Sequence, residues 1–259
     1  ITSLPGVPTM YQALLDCPNL VKTDFSSLRA CISGGAPLAG ELKKRFETAT
    51  GAVVIEGYGL TESSGVVSCN PYEGLNKIGS IGQPLPGTDV RLVDKEDPAK
   101  PALPGEPGEL TFSGPQVMCG YWNRPEADAE VFLGKYLRTG DVATIDEEGF
   151  IFIVDRLKDM IAVGGFKVFP SQVEDILYQH PAVKEALVIG VGDAYLGEIP
   201  RAFVTLHNGV TEDGAVLAAW LNPKLGKHER VQGVTIMDVL PKTMIGKLDR
   251  KALRIALGP

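Results

Sequence analysis

The chain is poor in the residues that announce a metal or disulfide framework. Its 259 residues include three histidines and four cysteines, and no two cysteines form a CxxC pair. A His-rich metal centre and a zinc or disulfide scaffold are therefore disfavoured. Cys17, Cys31, Cys69 and Cys119 each stand in an apolar context and read as buried free thiols of a reducing compartment. No apolar run approaches the roughly 20 residues of a membrane helix. A basic surplus is missing too: the formal net charge is −7, which argues against a nucleic-acid surface. Nor is there a P-loop. Gly246-Lys247 has no glycine five residues before Gly246, and Leu248 stands where that motif needs Ser or Thr; Gly226-Lys227 fails the same comparison. Ordinary kinase or GTPase chemistry is disfavoured.

What is present is a globular composition, 44% hydrophobic and 22% charged, in a length that suits one large domain or two ordinary ones. The charge is uneven. From Asp159 onward there are 11 basic and 11 acidic residues, so 21 of the 32 acidic residues lie before it. Within the neutral part, Lys224 to Arg254 holds eight basic and three acidic residues, a face for solvent or for a phosphorylated ligand. The first residue is Ile1, and nothing near it reads as a signal peptide. The expectation is a sequence that starts in the middle of something longer.

Periodicity divides the chain into three textures. Leu28 to Ile32 reads as a buried strand and Val53 to Ile55 as the next. Between them lies a helix with Leu38, Leu42 and Phe46 on its apolar face and Glu41, Lys43, Lys44 and Arg45 on the others, stopped at Gly51. Such alternation predicts an α/β layer with binding residues at the strand ends. From about Gly74 glycine and proline recur every few residues, and Asp89 to Val93 and Glu109 to Phe112 are β-rich; this predicts a barrel-like all-β piece, with a short helix from Pro125 to Leu133. The last third predicts a small α+β domain. Its helices fall at Ser171 to Gln179, Thr211 to Leu221 and Asp249 to Leu257, and its strands at Ala186 to Val191, Arg201 to Leu206 and Val234 to Val239. The expected boundaries are 1–75, 76–156 and 157–259.

The joint between the last two is Asp155-Arg156-Leu157-Lys158-Asp159, which reads as an exposed charged segment. It leads through an apolar run to Gly164-Gly165 and then to Ser171 and Glu174, spaced as a helix capping box. Three further segments have chemical content. In Gly57-Tyr58-Gly59-Leu60-Thr61-Glu62, glycines allow a ligand to press on the backbone, the tyrosine offers a flat face, the threonine can bond a phosphate oxygen, and the glutamate can hold a hard cation. A tight turn with a polar rim explains the same letters. In Thr139-Gly140-Asp141 the aspartate can accept from two vicinal hydroxyls, or simply close a turn. Lys247, on a glycine-hinged loop, can reach into a site.

Taken in order, Gly57–Glu62, Gly108-Glu109-Leu110 with Gly114 and Gly120-Tyr121, Thr139-Gly140-Asp141, Asp155-Arg156 with Lys158-Asp159, Gly164-Gly165-Phe166, and Pro241-Lys242-Thr243 with Gly246-Lys247 resemble the adenylate-forming superfamily of acyl-CoA synthetases. Within it the chain is most similar to bacterial long-chain fatty-acid–CoA ligases. Each motif is weak alone, whereas the ordered set is specific and covers almost the whole chain.

The resemblance implies an adenylate-forming fold lacking its N-terminal portion. It implies ATP-dependent conversion of a long-chain fatty acid to acyl-adenylate, followed by transfer to coenzyme A. An aryl or medium-chain acid, or a carrier protein as acceptor, is the alternative, and a non-catalytic nucleotide-binding relative a remoter one. Gly34, Gly35 and Ala36 would border adenine and the acyl pocket, with Gly57 and Gly59 beside them. Tyr58 would stack on adenine, Thr61 would contact phosphate, and Glu62 would hold Mg²⁺. Asp141 would take the ribose hydroxyls and Arg156 would reach ribose and phosphate. Lys158 would be the hinge of a mobile last domain, and Lys247 would bridge carboxylate and α-phosphate. Gly164 and Gly165 would line the pantetheine tunnel. The family's Ser/Thr/Gly-rich phosphate loop, which lies upstream of Gly34, is absent from the sequence, so these 259 residues alone are expected to be inactive. A cytoplasmic protein is implied, with peripheral contact at the inner membrane face and a homodimer both compatible with it.

Overall fold

A computed structural model describes residues 1–243 and 246–257. Contacts divide the chain into two units, Ile1–Ile153 and Val154–Pro259. In the first unit, β1 (Ser3–Gly6), α1 (Pro8–Leu15), β2 (Ala30–Ser33), α2 (Gly40–Thr50), β3 (Val53–Leu60), β4 (Gly65–Cys69) and β5 (Gln83–Pro84) follow one another. The strands form one sheet in sequence order. β1, β2 and β3 are parallel, whereas β4 pairs antiparallel with β3 and β5 with β4. A second sheet contains β6 (Asp89–Val93), β7 (Gly108–Ser113), β8 (Phe132–Leu133), β9 (Tyr136–Ile145) and β10 (Ile151–Arg156), with α3 (Pro125–Val131) between β7 and β8. Its order is β10-β9-β7-β6, and β8 is paired to β9.

The parallel layer arises as the apolar periodicity predicts. Alternate residues of β2, Cys31 and Ser33, are buried. Cys31 and Val54 of β3 meet Tyr11 of α1 and Phe46 of α2 in one core, where the Tyr11 and Phe46 rings meet edge-on at 5.0 Å. Burying such aromatics accounts for much of what docks two short helices on this sheet. One residue of α2 departs from expectation. Lys43 was expected on a solvent face but is buried. Its stem runs along the core and its ammonium reaches the Val54 carbonyl and the Glu47 carboxylate, as long basic side chains can.

Val154 begins the second unit. It contains β11 (Ile161–Val163), β12 (Phe166–Val168), α4 (Pro170–Leu177), β13 (Val183–Asp193), β14 (Gly197–Leu206), α5 (Gly214–Leu221), β15 (Val234–Ile236) and α6 (Arg250–Leu257). The sheet order is β12-β11-β14-β13, with β15 parallel to β14. Val173 and Leu177 of α4 and Leu217 and Leu221 of α5 pack with Val188, Ala202 and Val204 of the central strands.

The Ser171–Glu174 pair is not a capping box, because α4 starts at Pro170 and no side chain of its own caps it. The Ser171 amide donates to Asp155 Oδ2 at 2.8 Å, while Glu174 turns inward to accept from the Val188 amide and from Arg250, each at 2.7 Å. A buried tertiary partner outcompetes the local cap. Nor is the joint uniformly exposed: Asp155 and Asp159 are buried, held by those helix contacts and by Arg250 and Arg254. The thiols also divide. Cys31 is buried and Cys69 half-buried, but Cys17 and Cys119 are exposed, since each lies in a turn segment whose apolar neighbours do not enclose it. No described helix is long and apolar enough to cross a membrane.

Candidate active site

The parallel pairing of β2 with β3 ends at Ser33 opposite Glu56, and β3 itself runs on to Leu60. Beyond the end of that pairing lies a cleft of about 480 Å³, lined among others by Gly34, Gly35, Gly57, Tyr58, Gly59 and Thr61. Six residues singled out in the sequence thus share one wall. Ala36 follows in the same loop but does not line the cleft. Gly57 to Leu60, which the letters alone also allowed as a tight turn, continues β3, and β4 folds back against it with a register shift between Tyr58 and Gly59. A Cβ at Gly59 would lie 1.7 Å from the Gly65 carbonyl oxygen, so only glycine permits this close return of the chain.

Thr61 opens a short 3₁₀ turn, Thr61–Ser63. Ser63, which the sequence did not single out, holds it. Its buried hydroxyl accepts from the Leu60 amide at 2.9 Å and lies within bonding reach of the Leu60 and Gly65 carbonyls. The signal available was a small polar residue three positions after the strand end. Thr61 is exposed and Glu62 half-buried. The Met118 amide donates to the Glu62 carbonyl at 2.8 Å, and the Tyr121 hydroxyl donates to Glu62 Oε1 at 2.7 Å. This second bond, to a carboxylate, pushes the Tyr121 phenol up to about 12. Tyr121 is fixed in turn by its amide, which donates to Asp128 Oδ1 at 2.7 Å.

Asp141 sits on a bulge of β9 and is 6% exposed. Its Oδ2 accepts from the Tyr58 hydroxyl at 2.5 Å, while the Tyr58 ring packs against the apolar clusters of the second sheet. Tyr58, Asp141 and the cleft therefore form one connected wall. Glu56, midway along β3 below, has its carboxyl pushed up to about 7 by burial, although the Leu38 amide bond and Lys43 oppose this. Its Oε1 accepts from the Leu38 amide at 3.1 Å, which ties the loop after β2 to β3.

The other predicted residues belong to the second unit. Arg156 and Lys158 are exposed, and Lys158 lies in a 3₁₀ turn, Leu157–Asp159. Gly164 and Gly165, at φ +56° and +87°, make the tight turn between β11 and β12, the backbone a two-residue hairpin of this kind requires. Phe166 next to them stacks on His228, ring centres 3.6 Å apart. Lys247 is exposed on a loop closed by a bridge between Lys242 and Leu248. The Thr243 amide donates to the Lys247 carbonyl at 2.7 Å, and the Lys247 amide to Thr243 Oγ1 at 3.2 Å. Lys242 pairs with Glu185 at 2.5 Å, anchoring the loop to β13. Met244 and Ile245 of this motif lie outside the described residues.

Among the described residues no three His, Cys, Asp or Glu side chains gather as a metal site. A lone carboxylate still suits Mg²⁺, which is commonly held by one or two carboxylates together with substrate phosphates. Glu62, half-buried with one oxygen already anchored by Tyr121, has that character.

The profile of the AMP-binding enzyme family matches residues 1–122, and that of the AMP-binding enzyme C-terminal domain matches residues 172–247. A long-chain-fatty-acid–CoA ligase of Bacillus subtilis is 44% identical over 252 residues, 97% of this chain and 45% of that protein. A feruloyl-CoA synthase of an Amycolatopsis species is 43% identical over 259 residues, all of this chain and 52% of that protein. Among solved structures, ATP-bound MatB from Rhodopseudomonas palustris aligns with a TM-score of 0.90 at 37% identity, over 98% of this chain and 50% of that one. The chain spans about half the length of the curated relatives it matches.

Proposed function

The chain belongs to the AMP-binding enzyme family, and from that premise we propose that the complete protein carrying it joins a long-chain fatty acid to coenzyme A at the expense of ATP. A carboxylate oxygen of the acid attacks the α-phosphorus, the bond to pyrophosphate breaks, and an acyl-adenylate forms. The thiol sulfur of coenzyme A then attacks the acyl carbon, the bond to AMP oxygen breaks, and the thiol proton leaves to solvent. The observation that supports this most is the single wall made by the Gly34-Gly35 loop, Gly57-Tyr58-Gly59, Thr61 and Asp141 at the carboxyl ends of parallel strands, the place where open α/β sheets bind nucleotides.

In this reading Tyr58 sides the adenine and Asp141 accepts from the ribose hydroxyls. Thr61 donates to a phosphate oxygen. Glu62 would hold Mg²⁺, which supplies neutralisation of phosphate charge. Displacement at phosphorus by a weak nucleophile depends on positioning and on placed charge. Lys247 supplies that charge to the acid and the α-phosphate during the first step. Arg156 serves the ribose and phosphate region, Lys158 is the hinge, and the Gly164-Gly165 turn lines the path of the pantetheine arm during the second step.

The reading is tested by pyrophosphate release from the complete protein with ATP, Mg²⁺ and acids from acetate to oleate, with ferulate added, in the presence and absence of coenzyme A. Release with long acids, followed by acyl-CoA, is expected, and Lys247→Ala should lower it by about 10²- to 10³-fold without loss of thermal stability, because Lys247 is exposed. Release confined to ferulate would transfer the substrate to the aryl acids. Release without acyl-CoA would indicate another acceptor, and none with any acid would leave a nucleotide-binding protein.

A further inference from the structure

Across β7 and β9 the pairing is Glu109 with Val142 and Thr111 with Arg138. Thr139, Gly140 and Asp141 therefore face the single residue Leu110. This is an extended bulge, and bulges re-aim side chains. Its shape is imposed from two sides. Gly140 has φ +69°. Thr139 Oγ1 donates to the Leu110 carbonyl at 2.8 Å and accepts from the Asp141 amide at 3.0 Å.

Beneath the bulge lies Glu109, only 1% exposed. Its Oε2 accepts from Arg138 Nε at 3.0 Å and Nη2 at 2.8 Å, and its Oε1 accepts from the Gly140 amide at 3.2 Å. Three donors converge on one buried carboxylate, and all three come from residues immediately before Asp141. A carboxylate in the middle of a strand is costly to bury unless it is paired. Here the pairing partners are the bulge itself. Packing alone would be served as well by an apolar residue, so the arrangement of donors points to a geometric task.

We propose that Glu109 is a positioning residue for nucleotide recognition: through Arg138 and the Gly140 amide it sets the bulge that aims the Asp141 carboxylate at the ribose hydroxyls. The inference rests on the reading of Asp141 given above and adds a residue that makes no contact with the nucleotide. Glu109 then acts on the ribose only. Loss of the clamp weakens ATP while leaving a nucleotide without ribose hydroxyls untouched, a pattern that general loosening of the sheet does not produce.

The test compares binding of ATP and of 2′,3′-dideoxy-ATP to the complete protein by titration calorimetry. Asp141→Asn is the reference, and Glu109→Gln and Thr139→Val are the variants. The unchanged protein is expected to prefer ATP. Asp141→Asn and Glu109→Gln should each narrow that preference by about tenfold, the order expected when a hydrogen bond to a charged group is lost, with dideoxy-ATP binding unchanged. Thr139→Val should act in the same direction, and it decides the matter if Glu109→Gln does not fold. An intact preference in the Glu109 variant, or equal weakening of both nucleotides, would overturn the proposal. An intact preference in Asp141→Asn would remove the ribose reading of Asp141 and this inference with it, whereas pyrophosphate release in the acid panel would still stand as a separate result.

Discussion

Two buried ionic centres, one in each unit, use the same chemistry for different ends. In the first unit, Glu109 holds Arg138 and the Gly140 amide of one strand, and the Asp141 carboxylate proposed for the ribose follows directly. In the second, Arg250 bonds Glu174 at 2.7 Å and approaches Asp159 at 3.8 Å, Arg254 meets Asp159 at 3.3 Å, and Asp155 caps α4. This centre joins α4, α6 and the turn after β10, and Lys247, three residues before Arg250, remains exposed outside it. The first centre shapes a site at short range. The second builds a rigid frame from which an exposed lysine loop projects. A charge that must hold one geometry is buried with its supports, whereas the charge proposed to serve one of two steps stands on an exposed loop.

The contrast breaks most sharply at Arg250. Arg250→Met leaves Glu174 buried without its arginine and takes one of two arginines from Asp159. It should destabilise the second unit by about 3–5 kcal/mol, seen as an earlier second-unit phase in urea unfolding of the complete protein, with the first-unit phase unmoved. A uniform shift of both phases would show that the frame is not local.

Next in size is a pH effect midway along β3. The Glu56 carboxyl, at about 7 when folded against an ordinary value of 4.5, binds its proton more tightly in the folded state. Folding stability should therefore fall as pH rises from about 4.5 to about 7 and level off above, by on the order of 2 kcal/mol after allowance for partial solvation. Glu56→Gln should flatten that slope in the first-unit phase of urea unfolding across the range, while Glu174, also pushed up to about 7 by burial, keeps a slope in the second-unit phase. An unchanged slope would place the titration elsewhere.

The smallest expected effect is at the bulge. A Cβ on Gly140 meets nothing within 4 Å, so Gly140→Ala carries only the cost of a left-handed φ, about 1–2 kcal/mol. It should lower the thermal midpoint by a few degrees. No change at all would mean that the bulge relaxes easily and that Glu109 has little to hold.

Much of the fold was legible because its signals are local. The period of β2 and α2, the stop at Gly51 and the strands Asp89–Val93 and Gly108–Ser113 follow from neighbouring letters. The site was legible through ordered motifs, and Gly34, Gly35, Gly57, Tyr58, Gly59 and Thr61 do meet at one cleft. What was hidden depends on partners far along the chain. Arg138 is 29 residues from Glu109, so a charged residue inside a strand gave no sign of what it clamps. Ser171 and Glu174 matched a local cap until Asp155 and Arg250 claimed them. Lys43 looked like a solvent residue until its ammonium found Val54 and Glu47. Periodicity reports which face is apolar, and tertiary hydrogen bonds decide which polar groups share it.

The most direct measurement is a crystal structure of the complete protein with a non-reactive acyl-adenylate. Both ribose hydroxyls are expected within hydrogen-bond distance of the Asp141 carboxylate, with adenine beside Tyr58 and the Glu109–Arg138–Gly140 clamp unchanged beneath them. A ribose bound elsewhere, with neither hydroxyl on Asp141, would be the contrary result.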